Sequence, residues 1–168
     1  MDAIMLDLET AGTRRNAPIL SIGAVKFDVE RKIMGEKFYC RIKLDQAARI
    51  EPDTFMWWLQ QSEEARAEIY RPEGKIATWQ ALKMFSAYAK GVKEVWANGP
   101  DFDCVILGSA YSQHKEDLPW EYRHQRCFRT VRSLAPHIEY LRVGTAHNAL
   151  DDAVSQVEHL FRMTGGVQ

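Results

Sequence analysis

The chain has 168 residues, of which 46% are hydrophobic and 27% are charged, and its formal net charge is −1. This length predicts a single domain, residues 1–168, and the composition excludes an intrinsically disordered chain. A nearly neutral balance also argues against a protein that coats nucleic acid through a general basic surface. It is compatible with a nuclease, because bound metal ions restore positive potential around an acidic site.

The sequence shows no signal for a membrane or for export. No apolar run approaches the roughly 18 residues that are needed to span a membrane, and the first residues do not follow the design of a signal peptide. Three cysteines without a CxxC pair predict free thiols, not a disulfide framework or a zinc site. We therefore expect a cytoplasmic protein without a membrane partner.

The N-terminal part of the chain predicts three antiparallel strands in a meander. An apolar run at Ala3–Leu8 indicates a buried first strand. A second strand is predicted at Ile19–Val29, where apolar and charged residues alternate towards its end. A turn at 30–32 or at 34–35 then leads to a third strand, which alternates in the same way over residues 37–43.

The remainder of the chain predicts helices and one further strand, at Val95–Ala97. Capping residues and glycines set the expected helix ends. Strands followed by strands that alternate with helices predict an α/β fold, with a mixed sheet of three antiparallel strands and then parallel strands, flanked by helices. The expected helices are Phe55–Gln60 after Pro52, residues 63–69 after a Ser62 cap, Trp79–Lys90 between a Thr78 cap and Gly91, Phe102–Gln113 after an Asp101 cap, and Asn148–Met163 before Gly165 and Gly166.

Two acids, Asp7 and Glu9, close the first predicted strand. Successive side chains of a strand point to opposite faces, so both carboxylates share one face while Leu8 points to the other. Crowded carboxylates resist ionisation unless a cation compensates them, and Mg²⁺ or Mn²⁺ prefers such hard oxygen ligands. The pair predicts half of a metal site; the alternative is a strand that simply ends in solvent.

Two later segments carry further candidates. Asp103 is expected in the first turn of its helix, at the same edge of the sheet as Asp7, although an acid there can also serve only the helix dipole. His147 and Asp152 cannot share a face of one helix, so His147 is expected in the loop before the last helix. A histidine in that position can take a proton from water near neutral pH, and its alternative role is to cap the helix.

Three segments together resemble the motifs of the DEDDh 3′→5′ exonucleases, a branch of the proofreading-exonuclease superfamily with a ribonuclease-H-like fold. They are Asp7–Thr10, Asn98–Asp103 and His147–Asp152, in the order of that family and over nearly the whole chain. Histidine at position 147, instead of tyrosine, resembles the DEDDh branch and not the DEDDy branch. Residues 56–66 are further similar to a group that contains phage exonuclease A, exodeoxyribonuclease-VIII-like phage proteins and a mycobacterial exoribonuclease.

This resemblance implies a nuclease that releases 5′-mononucleotides from the 3′ end of single-stranded nucleic acid or of a 3′ overhang. It implies that His147 is the general base, and that Asp7 bridges two Mg²⁺ or Mn²⁺ ions. Asp101 and Asp151 are further acids close to the motif positions. The spacing of the motifs identifies Asp103 and Asp152, not these two, as the metal ligands. The implied metal ligands are Asp7, Glu9, Asp103 and Asp152.

Substrate contacts are expected beside the metals and from aromatic and basic side chains. The resemblance suggests that one of Trp57 and Trp58 stacks on a base while the other packs in the core. Arginines at every third position from Arg123 to Arg132 predict one basic face of a helix or loop that follows phosphates, or alternatively a solvated face. The candidate substrate-binding residues are Leu8, Thr10, Asn98, Trp57, Trp58, Arg126 and Arg129.

The sequence leaves three questions open. The polymer is single-stranded DNA or RNA, with DNA slightly favoured by the phage-like segment, because contacts to the 2′-hydroxyl leave no readable signature. Two rival functions are a catalytically silent nucleic-acid-binding module of the same fold and another two-metal phosphodiesterase or phosphatase. The oligomeric state is also open: many relatives are dimers, which makes a homodimer the candidate, but the sequence shows no clear interface.

Overall fold

A six-stranded mixed sheet, in the order β4-β3-β2-β1-β5-β6, organises the residues that the computed structural model describes, 1–165. The first three strands pair antiparallel, while β1–β5, β5–β6 and β3–β4 pair parallel. This is a ribonuclease-H-like sheet, as expected. The strands are β1 Ala3–Thr10, β2 Ile19–Asp28, β3 Ile33–Ile42, β4 Lys75–Ile76, β5 Glu94–Ala97 and β6 Gln125–Cys127.

Helices follow or separate these strands and cover the sheet. A single 3₁₀ turn at Tyr122–His124 precedes β6. Among residues 1–165, no helix has the length and apolar character required to cross a membrane. The helices are α1 Pro52–Leu59, α2 Glu63–Tyr70, α3 Thr78–Tyr88, α4 Asp103–Gln113, α5 Phe128–Ser133 and α6 Ala149–Thr164.

The predicted meander is confirmed, and the first of the two proposed turns is the one that forms. Residues 29–32 make the turn between β2 and β3, with Lys32 in the left-handed region at φ 53°. The short strands β4 and β6 were not predicted. A segment of two or three residues is too short to show a periodic pattern. These segments are strands only because they pair with β3 and β5.

Two of the predicted helix caps are wrong. Asp101 does not cap α4, because Phe102 N–H donates to Gly99 O (2.8 Å) and a turn over these residues delays the helix to Asp103. Thr78 is the first residue of α3, and the N–H of the preceding Ala77 donates to Gln80 Oε1 (3.1 Å).

Other predicted helix ends agree with the structure. Ser62 caps α2 and its hydroxyl accepts from Ala65 N–H (3.2 Å). Gly165 follows the last residue of α6, Thr164. Gly166, the second glycine of the predicted stop, lies outside the described residues.

The two faces of the sheet bury separate hydrophobic clusters. Even-numbered residues of β1, such as Leu6, pack with α3 and α4 residues such as Phe85 and Leu107. On the other face, Met5 packs with α5 and α6, including Val157. Because side chains alternate along a strand, the acids that follow Met5 at every second position must face α6.

Candidate active site

β1 extends beyond its parallel neighbour, and this overhang carries the first two acids. Pairing with β5 ends at Leu6↔Ala97, so the backbone of the following residues has no strand partner on that side. The Leu8 N–H instead donates to Asp103 Oδ1 (3.0 Å) at the start of α4. This hydrogen bond fixes the carboxylate of Asp103 beside the end of β1, at the sheet edge where the sequence predicted it.

A glycine opposite Asp7 lets α6 approach the sheet. Gly23 pairs with Asp7 in the β1–β2 register, and a Cβ at this position would lie 2.2 Å from backbone atoms of Ala149 and Leu150. The first turn of α6 therefore rests directly on the backbone of β2. This contact brings Asp152, in the same turn, to the face on which the β1 acids lie.

His147 lies in the loop before α6, as predicted, and Asn148 rather than His147 caps the helix. Asn148 Oδ1 accepts from Leu150 N–H (3.1 Å), while His147 adopts a left-handed backbone, φ 62°. The His147 N–H donates to Asp152 Oδ2 (3.1 Å). One ligand atom each from Glu9, His147 and Asp152 lies within 4.8 Å of the other two.

Asp151 has a different role from its neighbour Asp152. Its carboxylate accepts the Thr145 N–H (2.7 Å) and lies against Gly144, whose lack of a Cβ leaves room for it. Asp151 therefore shapes the loop before α6, whereas Asp152 faces the cavity. The selection of Asp152 by motif spacing agrees with this placement.

One cavity of about 740 Å³ collects the candidate residues. All four motif acids and His147 line it, and so do five of the seven candidate substrate-binding residues. Arg126 and Arg129 are not among its lining residues. The predicted residues that line the cavity are Asp7, Glu9, Asp103, Asp152, His147, Leu8, Thr10, Asn98, Trp57 and Trp58.

The prediction of a single basic face between Arg123 and Arg132 is wrong. The stretch divides among a 3₁₀ turn, β6 and α5, which breaks the three-residue spacing. Arg123 pairs with Glu121 (2.5 Å) and Arg126 with Glu94 (3.2 Å). Of these arginines, Arg132 alone lines the cavity in the part of the chain that is described.

Arg129 lies next to the cavity without lining it. Its Nη2 donates to the Asn98 carbonyl oxygen (2.7 Å). Its positive charge also lowers the pKa of Asp103, against the effect of burial. Arg129 therefore influences the site without entering the cavity, by holding the loop that follows β5 and by its charge near Asp103.

Burial dominates the electrostatics of the acids. It raises the pKa of Asp7 well above its ordinary value, and the charges of Asp103 and Glu9 raise it further. Burial and the nearby Asp152 raise the pKa of Glu9 to about 8, and burial raises that of Asp103 to about 7. The four acids cannot all be ionised near pH 7 without a compensating cation.

Two residues that were not predicted contact the acids directly. Gln156 Nε2, on a buried side chain, donates to Asp7 Oδ1 (2.8 Å). The Arg142 guanidinium forms an ion pair with Asp152 Oδ1 and opposes the rise in the pKa of Asp152 that burial causes. Gln156 follows Asp152 by one helical turn, and this spacing could have identified it in the sequence. Arg142 lies in an irregular loop, where no sequence pattern identifies it.

The two adjacent tryptophans occupy different environments. Trp58 is buried, and its Nε1 donates to the Thr10 carbonyl oxygen (2.9 Å), tying α1 to the end of β1. Trp57 is 41% exposed and its ring lies edge-on to the His147 imidazole, with centroids 4.7 Å apart. One tryptophan thus supports the site and the other borders the open cavity.

The donor set fits a hard divalent cation. Four carboxylates face one cavity, and no thiol is present among its described lining residues. Mg²⁺ and Mn²⁺ are bound by carboxylate oxygens, and a positive charge would relieve the repulsion that raises the pKa values of these acids.

Proteins of similar sequence or structure include nucleases. The chain is 24% identical over 119 residues to an exodeoxyribonuclease of Enterobacteria phage T4, a match that covers 61% of this chain and 52% of the phage protein. The chain therefore corresponds to about half the length of this curated relative.

Two solved structures share the fold. Exonuclease I of E. coli, solved in complex with a dT13 oligonucleotide, superposes with a TM-score of 0.66 at 16% identity, over 96% of this chain and 40% of its own. The nuclease domain of 3′hExo, a DEDDh family member solved with bound rAMP, gives 0.64 at 12% identity, over 97% and 91%.

A family comparison covers almost the whole chain. The family described as the 3′-5′ exoribonuclease Rv2179c-like domain matches residues 2–164. The matched range includes every motif acid, His147 and all six strands. The chain belongs to the 3′-5′ exoribonuclease Rv2179c-like domain family.

Proposed function

We propose that this protein is a metal-dependent 3′→5′ exonuclease of the DEDDh type, which releases 5′-mononucleotides from single-stranded 3′ ends. The observation that carries the proposal is the meeting of four carboxylates and one histidine in a single cavity, from β1, α4, the loop before α6 and α6 itself. Membership in a 3′-5′ exoribonuclease-like family supports the direction of cleavage.

The carboxylates would hold two Mg²⁺ or Mn²⁺ ions. Asp7 would bind both ions, Glu9 and Asp152 would bind one, and Asp103 would act on the other, directly or through water. When bound, such ions lower the pKa of water and stabilise the charge on the phosphate and on the leaving oxygen. Gln156 would hold the Asp7 carboxylate in position through its 2.8 Å hydrogen bond.

His147 would accept the proton of the attacking water. Its imidazole is close to Glu9 and Asp152, and its ring is oriented by Trp57. Burial lowers its pKa below the ordinary value, which favours the neutral, proton-accepting form. A neutral imidazole at the operating pH is the form that a general base requires.

Substrate binding would use both the backbone and the aromatic border of the cavity. Leu8 and Thr10 line the cavity beside the acids and would contact the terminal nucleotide, together with Asn98. The exposed face of Trp57 would stack on a base, a contact available in either DNA or RNA. Arg126 and Arg129 lie outside the cavity lining, so any part they take in substrate binding would be indirect, as in the hydrogen bond from Arg129 to the Asn98 carbonyl oxygen.

A labelled-substrate assay tests the proposal. Single-stranded DNA and RNA oligonucleotides with a 5′ label should shorten in single steps in Mg²⁺ or Mn²⁺, while 3′-labelled strands should release a labelled mononucleotide at once. His147→Ala should lower kcat by roughly 10²–10⁴-fold, the usual effect of losing a general base. Comparison of DNA with RNA gives the polymer preference.

A matched control is available in His137, which is exposed and does not line the cavity. His137→Ala should retain full activity. Full activity of His147→Ala, or cleavage within circular single strands, would contradict the proposed mechanism.

Metal binding should appear in the pH dependence of stability. Glu9 and Asp103 have folded-state pKa values of about 8 and about 7, above the roughly 4 of unfolded carboxyls. Between these values the folded protein binds more protons than the unfolded chain, so stability of the metal-free protein should fall as pH rises from about 4 to about 8. Added Mg²⁺ or Mn²⁺ should raise Tm more at pH 8 than at pH 6, because the competing protons are gone.

Thermal melts with EDTA and with each metal provide the measurement. Asp103→Asn should raise the metal-free Tm at pH 8, since it removes a buried charge, and should reduce the stabilisation by metal. A metal-induced shift in Tm that is equal at the two pH values, or absent at both, would contradict metal binding by these acids.

Three further properties are proposals on which the chemistry does not depend. They are one domain over residues 1–168, a cytoplasmic location and a homodimer. The rival of a silent binding module is distinguished from an exonuclease by the release of mononucleotides in the assay above.

A further inference from the structure

We infer that the strand upstream of the terminal nucleotide lies in a second groove, which runs from the active site along α4. This inference rests on the proposed exonuclease function and adds a binding track for the polymer. The groove, called the α4 groove below, has a volume of about 780 Å³. Its floor is α4, and its walls are residues 43–49, residues 16–18 and the start of α3.

One face of α4 connects the two cavities. Phe102 and Asp103, at the beginning of the helix, line the active site. Ile106, Ala110 and His114 follow at intervals of four residues and line the α4 groove. Residues four apart lie on the same face of a helix, so a single stripe leads from Phe102, the neighbour of Asp103, into the groove.

Two cations and one acid line the α4 groove, which leaves an excess of positive charge. Lys43 and Arg49 are exposed and line it, and neither forms an ion pair within residues 1–165. The acid between them, Asp45, accepts the Ala47 N–H (2.8 Å) and shapes its own turn. A groove bordered by free cations attracts a phosphodiester backbone.

The alternative basic region is less suited to this role. Arg123 and Arg126 are paired with Glu121 and Glu94. Arg129 is held by the Asn98 carbonyl oxygen, and Arg132 lies over the Tyr140 ring. The free cations of the α4 groove therefore give the better match to a polyanion, although the sequence pointed to the arginine-rich stretch.

An exposed aromatic residue supplies a second kind of contact. Trp79, at the start of α3, lines the α4 groove and is 50% exposed. A base can stack on such a ring whatever its identity, because every base has a π-face. Free cations and an exposed indole together fit a single strand read without sequence preference.

The length of α4 sets the number of nucleotides. Its 11 residues span about 16 Å at 1.5 Å per residue. At an axial rise of about 3.4 Å per nucleotide in a stacked strand, this corresponds to roughly four or five nucleotides. We therefore expect kcat/KM to rise with oligonucleotide length up to about six nucleotides and then to level off.

Charge reversal in the full chain tests the groove. Lys43→Glu/Arg49→Glu should lower kcat/KM for a 12-nucleotide single-stranded DNA or RNA at least about tenfold, and leave a dinucleotide within about twofold. The slope of log kcat/KM against log salt should fall by about two for the long strand, one for each lost phosphate contact. Lys37→Glu/Lys90→Glu makes the same charge change at exposed sites outside both cavities and should have no length-dependent effect.

Binding measurements separate this inference from the proposed function. Fluorescence anisotropy of a labelled 12-mer on an Asp7→Asn background does not require catalysis, and the groove substitutions should weaken its Kd at least about tenfold. An unchanged Kd, or an equal loss in the Lys37 and Lys90 control, would overturn the α4 groove as the track. Groove-dependent binding without mononucleotide release by the wild type would overturn the exonuclease proposal alone.

Discussion

Asp7→Asn should lower exonuclease kcat at least about a thousandfold while the protein stays folded. Asp7 is the most central of the acids, since Asp103, Glu9 and Asp152 all raise its pKa. The asparagine side chain has the same shape but no charge, so it can neither bridge two cations nor balance them. A large loss is expected because, in the proposed mechanism, metal ions would provide both the activation of water and the stabilisation of charge.

The matched control is Asp101→Asn, in an exposed residue outside the cavity lining. It should change kcat by less than about twofold. Mononucleotide release in Mg²⁺ and in Mn²⁺ gives the rates, and circular dichroism confirms the fold. The metal-free Tm of Asp7→Asn should be higher than that of the wild type at pH 8, because a buried charge is lost. Activity above about a tenth of wild type in Asp7→Asn would contradict the assignment.

The part of the site that the sequence predicted depends on local periodicity. Alternation along β1 places Asp7 and Glu9 on one face, and this does not depend on the rest of the fold. Helical geometry likewise requires His147 and Asp152 to occupy different positions relative to α6, and the structure has His147 in the preceding loop. Such predictions succeed because they rest on a few adjacent residues.

Predictions failed where another local interaction competes with the pattern in the sequence. Asp101 is a good capping residue by type, but the turn closed by Phe102 N–H and Gly99 O takes precedence and the helix starts later. The spacing of arginines from Arg123 to Arg132 indicated one face, yet β6 pairs with β5 in the middle of the stretch. In both cases a hydrogen bond that the pattern does not encode decided the structure.

Contacts between distant elements were beyond the sequence. The Leu8 N–H is free for Asp103 only because β1 is longer than β5, and the two residues are 95 positions apart. Gln156 meets Asp7 across 149 positions. The four-residue spacing from Asp152 could have suggested Gln156 as a site residue. Its hydrogen bond to Asp7 could not be predicted, because it depends on how closely α6 approaches the sheet.

That close approach makes Gly23 intolerant of any added side chain. A Cβ here would lie 2.2 Å from the Ala149 carbonyl carbon and from the Leu150 backbone nitrogen. Backbone atoms cannot rotate away as the end of a side chain can, so Gly23→Ala must displace the start of α6. Overpacking of this kind costs about 1–3 kcal/mol and occasionally more.

Activity should fall further than stability. Displacement of α6 moves Asp152 and His147 relative to Asp7, and a misplacement of about 1 Å in a catalytic site can cost about 10²-fold. We expect Gly23→Ala to lower kcat/KM at least about 10²-fold at a temperature where urea denaturation shows it fully folded. The control is Gly108→Ala in α4, where an added Cβ meets nothing within 4 Å in the described structure.

Gly108→Ala should raise the free energy of unfolding by about 0.5–1 kcal/mol, because alanine is the better helix former, and should keep full activity.

A Gly23→Ala protein with wild-type activity would show that α6 need not touch β2 for the acids to meet. If Gly23→Ala unfolds completely, Gly23→Ser will not restore it, since both carry the Cβ. Raising Mn²⁺ should then recover folding only in part, because the ion binds the acids but cannot remove the clash between Cβ and backbone.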